Sequence, residues 1–166
     1  MMRTQIDLVV NGKSHELWVR NDRTLLDALH DDIGTQDVRY GCGEGVCGTC
    51  TVLVDGDPVS ACLMYAVQAE GKRIETLSSL VGDDGALHPL QDCFLRRGAA
   101  QCGFCTPGMI LTSKTLVERK PDATRDDIRY ELVGNLCRCT GYTKIVDAIE
   151  EYAERQRAAT PSEGGR

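Results

Sequence analysis

Nine cysteines in a chain of 166 residues constrain this protein more than any other feature, because eight of them fall into two groups of four. The first group is Cys42, Cys47, Cys50 and Cys62; the second is Cys102, Cys105, Cys137 and Cys139. The N-terminus, Met1 to Asp7, has no twin arginine and no apolar stretch before a cleavage site, so no export signal is expected and the cytoplasm is the expected location. Thiols stay reduced there, and grouped cysteines are more naturally ligands than disulfides. Only eight side chains are aromatic (five Tyr, two Phe, one Trp), so the core must be mainly aliphatic. That is thin for two small cores, and bound metal is the expected supplement. The net charge of −6 argues against nucleic acid, whose phosphates need a basic face. No apolar run approaches the ~20 residues that span a bilayer.

The chain divides by texture. Over residues 1–78 the pattern is mostly that of strands. Ile6, Leu8 and Val10 alternate with polar neighbours, Asn11-Gly12 supplies a tight turn, and Leu17 and Val19 continue on the return strand. Thr24 is placed to cap a short helix over Leu25 to Leu29. A second hairpin is expected across Asp55-Gly56, and Ile74 to Leu77 reads as a last strand. Residues 79–86, with Gly82-Asp83-Asp84-Gly85, read as a linker. Over residues 87–157 the texture is helical. His88-Pro89 opens one helix and Gly98 closes it, and Thr106-Pro107 opens a second through Val117. Thr124 and Asp127 form a capping box ahead of Ile128 to Val133. Ile145, Ala148, Ile149 and Tyr152 place one buried stripe on a last helix from Tyr142 to Gln156. Residues 158–166 read as a disordered tail. The fold class is therefore α+β, with one cysteine group in each part.

The spacing Cys42-x4-Cys47-x2-Cys50, followed by Cys62, is that of plant-type [2Fe–2S] ferredoxins. A cluster held by four thiolates is anionic and needs backbone N–H groups aimed at its sulfurs. Gly41, Gly43, Gly45 and Gly48 let the chain wrap closely and take positive φ. Zinc and unligated thiols are the rival readings, but structural zinc usually uses two short C-x2-C pairs, and only one is present. The second group pairs Cys102-x2-Cys105 with Cys137-x-Cys139, each pair at a helix boundary, where free N–H groups and the positive dipole end favour thiolates. A C-x-C pair is too tight to close on itself, yet its sulfurs readily serve one metal centre. Spacing alone leaves both [2Fe–2S] and zinc open for this group. Cys93 lies inside the helix after Pro89 and reads as a buried apolar thiol.

Three segments taken together are more specific. Gly41-Cys42-Gly43-Glu44-Gly45-Val46-Cys47-Gly48-Thr49-Cys50, Gln101-Cys102-Gly103-Phe104-Cys105-Thr106-Pro107-Gly108, and Gly134-Asn135-Leu136-Cys137-Arg138-Cys139-Thr140-Gly141-Tyr142 closely resemble the small iron–sulfur subunit of the xanthine oxidase family of molybdenum hydroxylases. The resemblance spans residues 4–156. It implies a plant-ferredoxin-like β-grasp domain followed by an all-α four-helix domain, each with one [2Fe–2S] cluster. It also implies a large molybdopterin-binding subunit, a medium FAD-binding subunit, and a dimer of such heterotrimers. Electrons would pass from molybdopterin to the cluster on Cys102, Cys105, Cys137 and Cys139, then to the cluster on Cys42, Cys47, Cys50 and Cys62, and on to FAD. Gln101 matches the residue that hydrogen-bonds the pterin in that family, and the backbone beside Cys139 lies against the same cofactor. Gly43, Gly45 and Gly48 would wrap the first cluster. Many members carry Gln where this chain has Val46, and Ala where it has Thr49. Both lie between ligands, so they leave cluster assembly intact and bear on its potential, through packing or a hydrogen bond from the Thr49 hydroxyl to sulfur.

No substrate site is legible in this chain. His15, His30 and His88 are scattered, no Ser/His/Asp set is visible, and no Gly-rich phosphate loop opens a helix. The histidines read as solvent-facing or turn residues. Two other functions compete. A redox-sensing iron–sulfur protein would carry a recognition surface such as a basic helix, which this sequence does not offer. A zinc-stabilised interaction module would be colourless.

Overall fold

The computed structural model describes residues 2–82 and 84–159. β1 (Arg3–Val10) and β2 (Lys13–Arg20) pair antiparallel from Arg3↔Arg20 to Val10↔Lys13. Asn11 and Gly12 connect them with φ of 50° and 77°, the twist a two-residue hairpin turn requires. Ile6, Leu8 and Val10 point to one face and are buried, as their alternation predicts. Thr24 Oγ1 accepts the Asp27 N–H at 3.0 Å and starts α1 (Leu25–Asp27). The helix does not stop at Leu29, however. It widens into a π turn over Ala28–Ile33 and ends on left-handed Gly34.

β3 (Thr51–Val54) and β4 (Asp57–Ser60) form the second hairpin, and β5 (Arg73–Glu75) completes a mixed sheet in the order β2-β1-β5-β3-β4, in which only β1 and β5 run parallel. This last strand is shorter than its sequence suggests. The Thr76 N–H donates to Asn11 Oδ1 and its hydroxyl to Asp37 Oδ2, so Thr76 leaves the ladder and Leu77 begins a 3-10 turn, Leu77–Leu80. In the expected linker, the Gly82 N–H bonds the Ala86 carbonyl at 2.9 Å; Asp83 lies outside the described residues.

Four helices follow: α2 (Pro89–Arg97), α3 (Thr106–Arg119), α4 (Arg125–Glu131) and α5 (Thr143–Ala159). His88, expected to be a solvent-facing or turn residue, stands at the start of α2. Its half-buried ring accepts the Leu90 N–H through Nδ1 at 3.2 Å, while the Gln91 side chain accepts the His88 N–H. α5 extends to Ala159, so Ala158 and Ala159 belong to the helix rather than to a tail. Arg155 reaches Asp92, and Arg157 donates to the Pro121 carbonyl at 3.0 Å, which ties this last turn down. Residues 160–166 of the expected tail lie outside the described residues. The Thr124–Asp127 box is reciprocal as expected. Thr124→Ala is expected to lower stability by about 1 kcal/mol, read as a shifted denaturation midpoint at unchanged slope.

Burial falls into two clusters. One gathers the inner sheet face with Leu25, Leu26 and Leu29. The other gathers Leu90, Phe94, Met109, Ile128 and the α5 stripe of Ile145, Ala148, Ile149 and Tyr152, with fully buried Cys93 among them. α3 is buried on nearly all sides from Pro107 to Val117 and packs on β3 and β4 as well as on the other helices. A helix enclosed in this way lies between layers rather than on a surface. Arg119, at its end, reaches the Gly56 carbonyl and the Asp57 carboxylate in the second hairpin. Among the described residues no helix is long and apolar enough to cross a membrane.

Candidate metal centres

The first four cysteines converge because the loop after residue 40 folds over the end of the β3–β4 hairpin. Their sulfurs associate in pairs: Cys42 with Cys47, and Cys50 with Cys62. The Cys42 N–H points at Cys47 Sγ (3.4 Å) and the Glu44 N–H at Cys42 Sγ (3.3 Å). The Glu44 N–H and the Cys47 thiol hold the exposed Cys42 thiol down to about 7, whereas burial pushes Cys50 up to about 12. Gly43, Gly45 and Gly48 have positive φ, as expected. Gly41 does not, and its requirement is space: a Cβ there would sit 2.7 Å from Cys47 Sγ. Val46 is 58% exposed while Thr49 is buried, so the two departures from the family pattern face opposite ways.

The second four also come together in pairs across more than thirty residues of chain. Cys139 Sγ lies 3.5 Å from Cys102 Sγ, and Cys105 pairs with Cys137. Cys105 precedes α3 directly, and Cys137 and Cys139 precede α5. The Phe104 N–H and the Cys139 thiol lower the Cys102 pKa, and burial pushes Cys105 up to about 12. For Cys137, burial raises the thiol, but the Thr140 hydroxyl at 3.1 Å and the Thr140 N–H outweigh it, and the net direction is down. Each set thus has an exposed thiol whose pKa is lowered, Cys42 or Cys102, and a less exposed one that burial pushes up, Cys50 or Cys105.

The two sets are joined by contacts that no local sequence signal announces. The Leu136 N–H donates to the Cys47 carbonyl at 2.9 Å, and buried Asn135 donates Nδ2 to the Gly48 carbonyl at 3.2 Å. Tyr142, at φ 68°, donates its hydroxyl to the Asn135 carbonyl and accepts the Cys137 N–H. Arg39 crosses from the first loop to the second, where it donates to the Gly103 carbonyl at 2.7 Å. Asn135, Leu136 and Tyr142 lie in the quoted motif, but nothing local tells what they touch. Gln101 is exposed, in a bend beside Cys102, on the same rim as exposed Cys139.

A [2Fe–2S] group has two irons and wants two thiolates on each, with N–H donors for its negative charge. Paired sulfurs carrying backbone N–H bonds fit that requirement at both places. Among the described residues no group of three or more His, Cys, Asp or Glu side chains is arranged to hold one metal ion.

Residues 8–81 match the 2Fe-2S iron-sulfur cluster binding domain, and residues 74–150 match a [2Fe-2S] binding domain. The nicotinate dehydrogenase small FeS subunit of Eubacterium barkeri is 48% identical over 93% of this chain and 98% of its own length. The chain belongs to the small iron–sulfur subunits of the xanthine oxidase family of molybdenum hydroxylases. Another such subunit, the nicotine 6-hydroxylase small subunit of Paenarthrobacter nicotinovorans, is 45% identical over 89% of this chain and 88% of its own length. In the crystal structure of quinoline 2-oxidoreductase from Pseudomonas putida 86, a chain 44% identical superposes with a TM-score of 0.89, covering 95% of this chain and 96% of that one. As an iron–sulfur subunit this protein is one part of an oxidoreductase, with an electron-transfer role.

Proposed function

We propose that this chain relays electrons from a molybdopterin centre in a large subunit to FAD in a medium subunit. The eight cysteines are the ligands: Cys102, Cys105, Cys137 and Cys139 hold the cluster facing molybdopterin, and Cys42, Cys47, Cys50 and Cys62 hold the one facing the flavin. A [2Fe–2S] group, when bound, accepts and passes on one electron at a time. The chain's own residues supply thiolates, aim N–H groups at sulfur, and keep one edge of each set at the surface.

The observation that carries the reading is the Leu136 N–H to Cys47 carbonyl bond. It sets the residue before Cys137 directly on a residue of the first set, so the two sets share a short route through backbone. Exposed sulfurs on both sets, with exposed Phe104 and Leu136 beside one and Val46 and Leu63 beside the other, suit burial against partner subunits. Gln101 offers an amide, donor and acceptor together, to a pterin edge, with the backbone at Cys139 beside it. Gly43, Gly45 and Gly48 shape the first cluster's wrapping. The domains run 1–78 and from 87 to the end of α5 at Ala159, two residues past the expected 157, and the complex works in the cytoplasm as a dimer of heterotrimers.

The test is purification from the native host. Iron and inorganic sulfide in equal amounts, two distinct [2Fe–2S] EPR signals, and co-purifying molybdenum and flavin chains are expected. A colourless protein carrying zinc would overturn the reading.

A further inference from the structure

Arg39 stands out among the arginines. Most of them pair with carboxylates, but among the described residues no ion pair involves Arg39. Its half-buried guanidinium instead donates to the Gly103 carbonyl at 2.7 Å and lies 5.5 Å from the centre of the Phe104 ring, within cation–π range. Two contacts on neighbouring residues fix its direction. Both residues lie between Cys102 and Cys105, whereas Arg39 itself belongs to the first loop, three residues before Cys42.

The peptide it grips matters. In a trans peptide the C=O and N–H groups point opposite ways. The Gly103 carbonyl, which also accepts the Thr106 N–H at 3.4 Å, shares its peptide with the Phe104 N–H, the group that most favours the Cys102 thiolate. Gly103 takes φ 74°, the left-handed conformation that favours glycine, directly after Cys102. A cation on the oxygen side polarises the amide and strengthens the bond its N–H makes on the other side. Hydrogen bonds to sulfur and nearby positive charge both favour the more negative, reduced state of a cluster.

We propose that Arg39 is a positioning residue that acts through the Gly103–Phe104 peptide on Cys102, and so sets how electrons divide between the two clusters. This inference rests on the proposed cluster assignment. It makes the first loop a determinant of the second cluster's potential, although no atom of Arg39 is a ligand.

The experiment is an EPR-monitored redox titration of the intact complex carrying Arg39→Gln, Arg39→Met or Arg39→Lys. Glutamine and methionine remove the charge; lysine keeps a charged donor. The first two are expected to lower the midpoint of the Cys102-set cluster relative to the other by about tenfold in electron partition, about 59 mV for a one-electron couple. Lysine is expected to hold at least half of the wild-type difference. Methionine retains much of the side chain's length and is the second reading if the glutamine variant loses iron. Unchanged relative potentials with both clusters intact, an equal fall at both clusters, or a lysine variant as low as glutamine would each overturn the proposal. Missing [2Fe–2S] signals in the wild-type complex would instead overturn the cluster assignment on which it rests.

Discussion

Gly108→Ala is expected to destabilise the chain by about 3 kcal/mol or more, and to loosen the contact between the two sulfur sets. A Cβ at Gly108 would collide with the Gly48 carbonyl oxygen and lie 3.2 Å from its carbon. That carbonyl cannot give way cheaply, because it accepts three hydrogen bonds: from the Thr51 N–H at 3.2 Å, the Thr51 hydroxyl at 2.7 Å and Asn135 Nδ2 at 3.2 Å. Gly48 is also hemmed in from the other side, where a Cβ of its own would sit 2.5 Å from Asn135 Nδ2. Relief requires moving the start of α3 away from the first loop, and the neighbouring Leu136–Cys47 bond would move with it. Gly134→Ala is the control, since nothing lies within 4 Å of its Cβ position; it should stay within about 0.5 kcal/mol of the parent. Denaturant unfolding followed by visible absorbance compares the two. Equal midpoints would show that the junction is softer than its geometry implies.

Cys102→Ser is expected to remove the EPR signal of the second set, to leave that of the first, and to cut molybdenum-to-flavin electron transfer about a hundredfold or more. Outer-shell changes alone cost about 10–100-fold in metal sites, and Cys102 would be a ligand itself. The fold should survive, because Cys102 is exposed and contributes nothing to either buried cluster of apolar side chains. Rapid-mixing reduction by substrate, with EPR on the same samples, reads both effects. Loss of both signals would mean that the two halves assemble their clusters interdependently through the Asn135–Gly48 junction.

Much of the architecture was legible because its signals are local. The Asn11-Gly12 turn, the Thr24 and Thr124 caps, the Gly98 stop and the α5 stripe each depend on residues within about one turn of one another, and each stands where expected. The structure departs from these local signals where a side chain from elsewhere intervenes. Asn11 and Asp37 took Thr76 out of the last strand, and Arg157 held Ala158 and Ala159 in a helix that composition alone would end earlier. Gly41 does not take the positive φ of the loop's other glycines; the need there is for room beside Cys47.

By itself the sequence determined which eight cysteines form the two sets, because cysteine spacing is written along the chain, and it carried the family in three contiguous motifs. Only the tertiary structure decided how the sulfurs pair and how the sets meet. Cys102 finds Cys139, Gly48 finds Asn135 and Arg39 finds Gly103 across 37, 87 and 64 positions. No periodicity reaches that far. Such contacts are selected by the need to satisfy buried carbonyls and amides once α3 is packed against β3 and β4, and that need exists only in the folded chain.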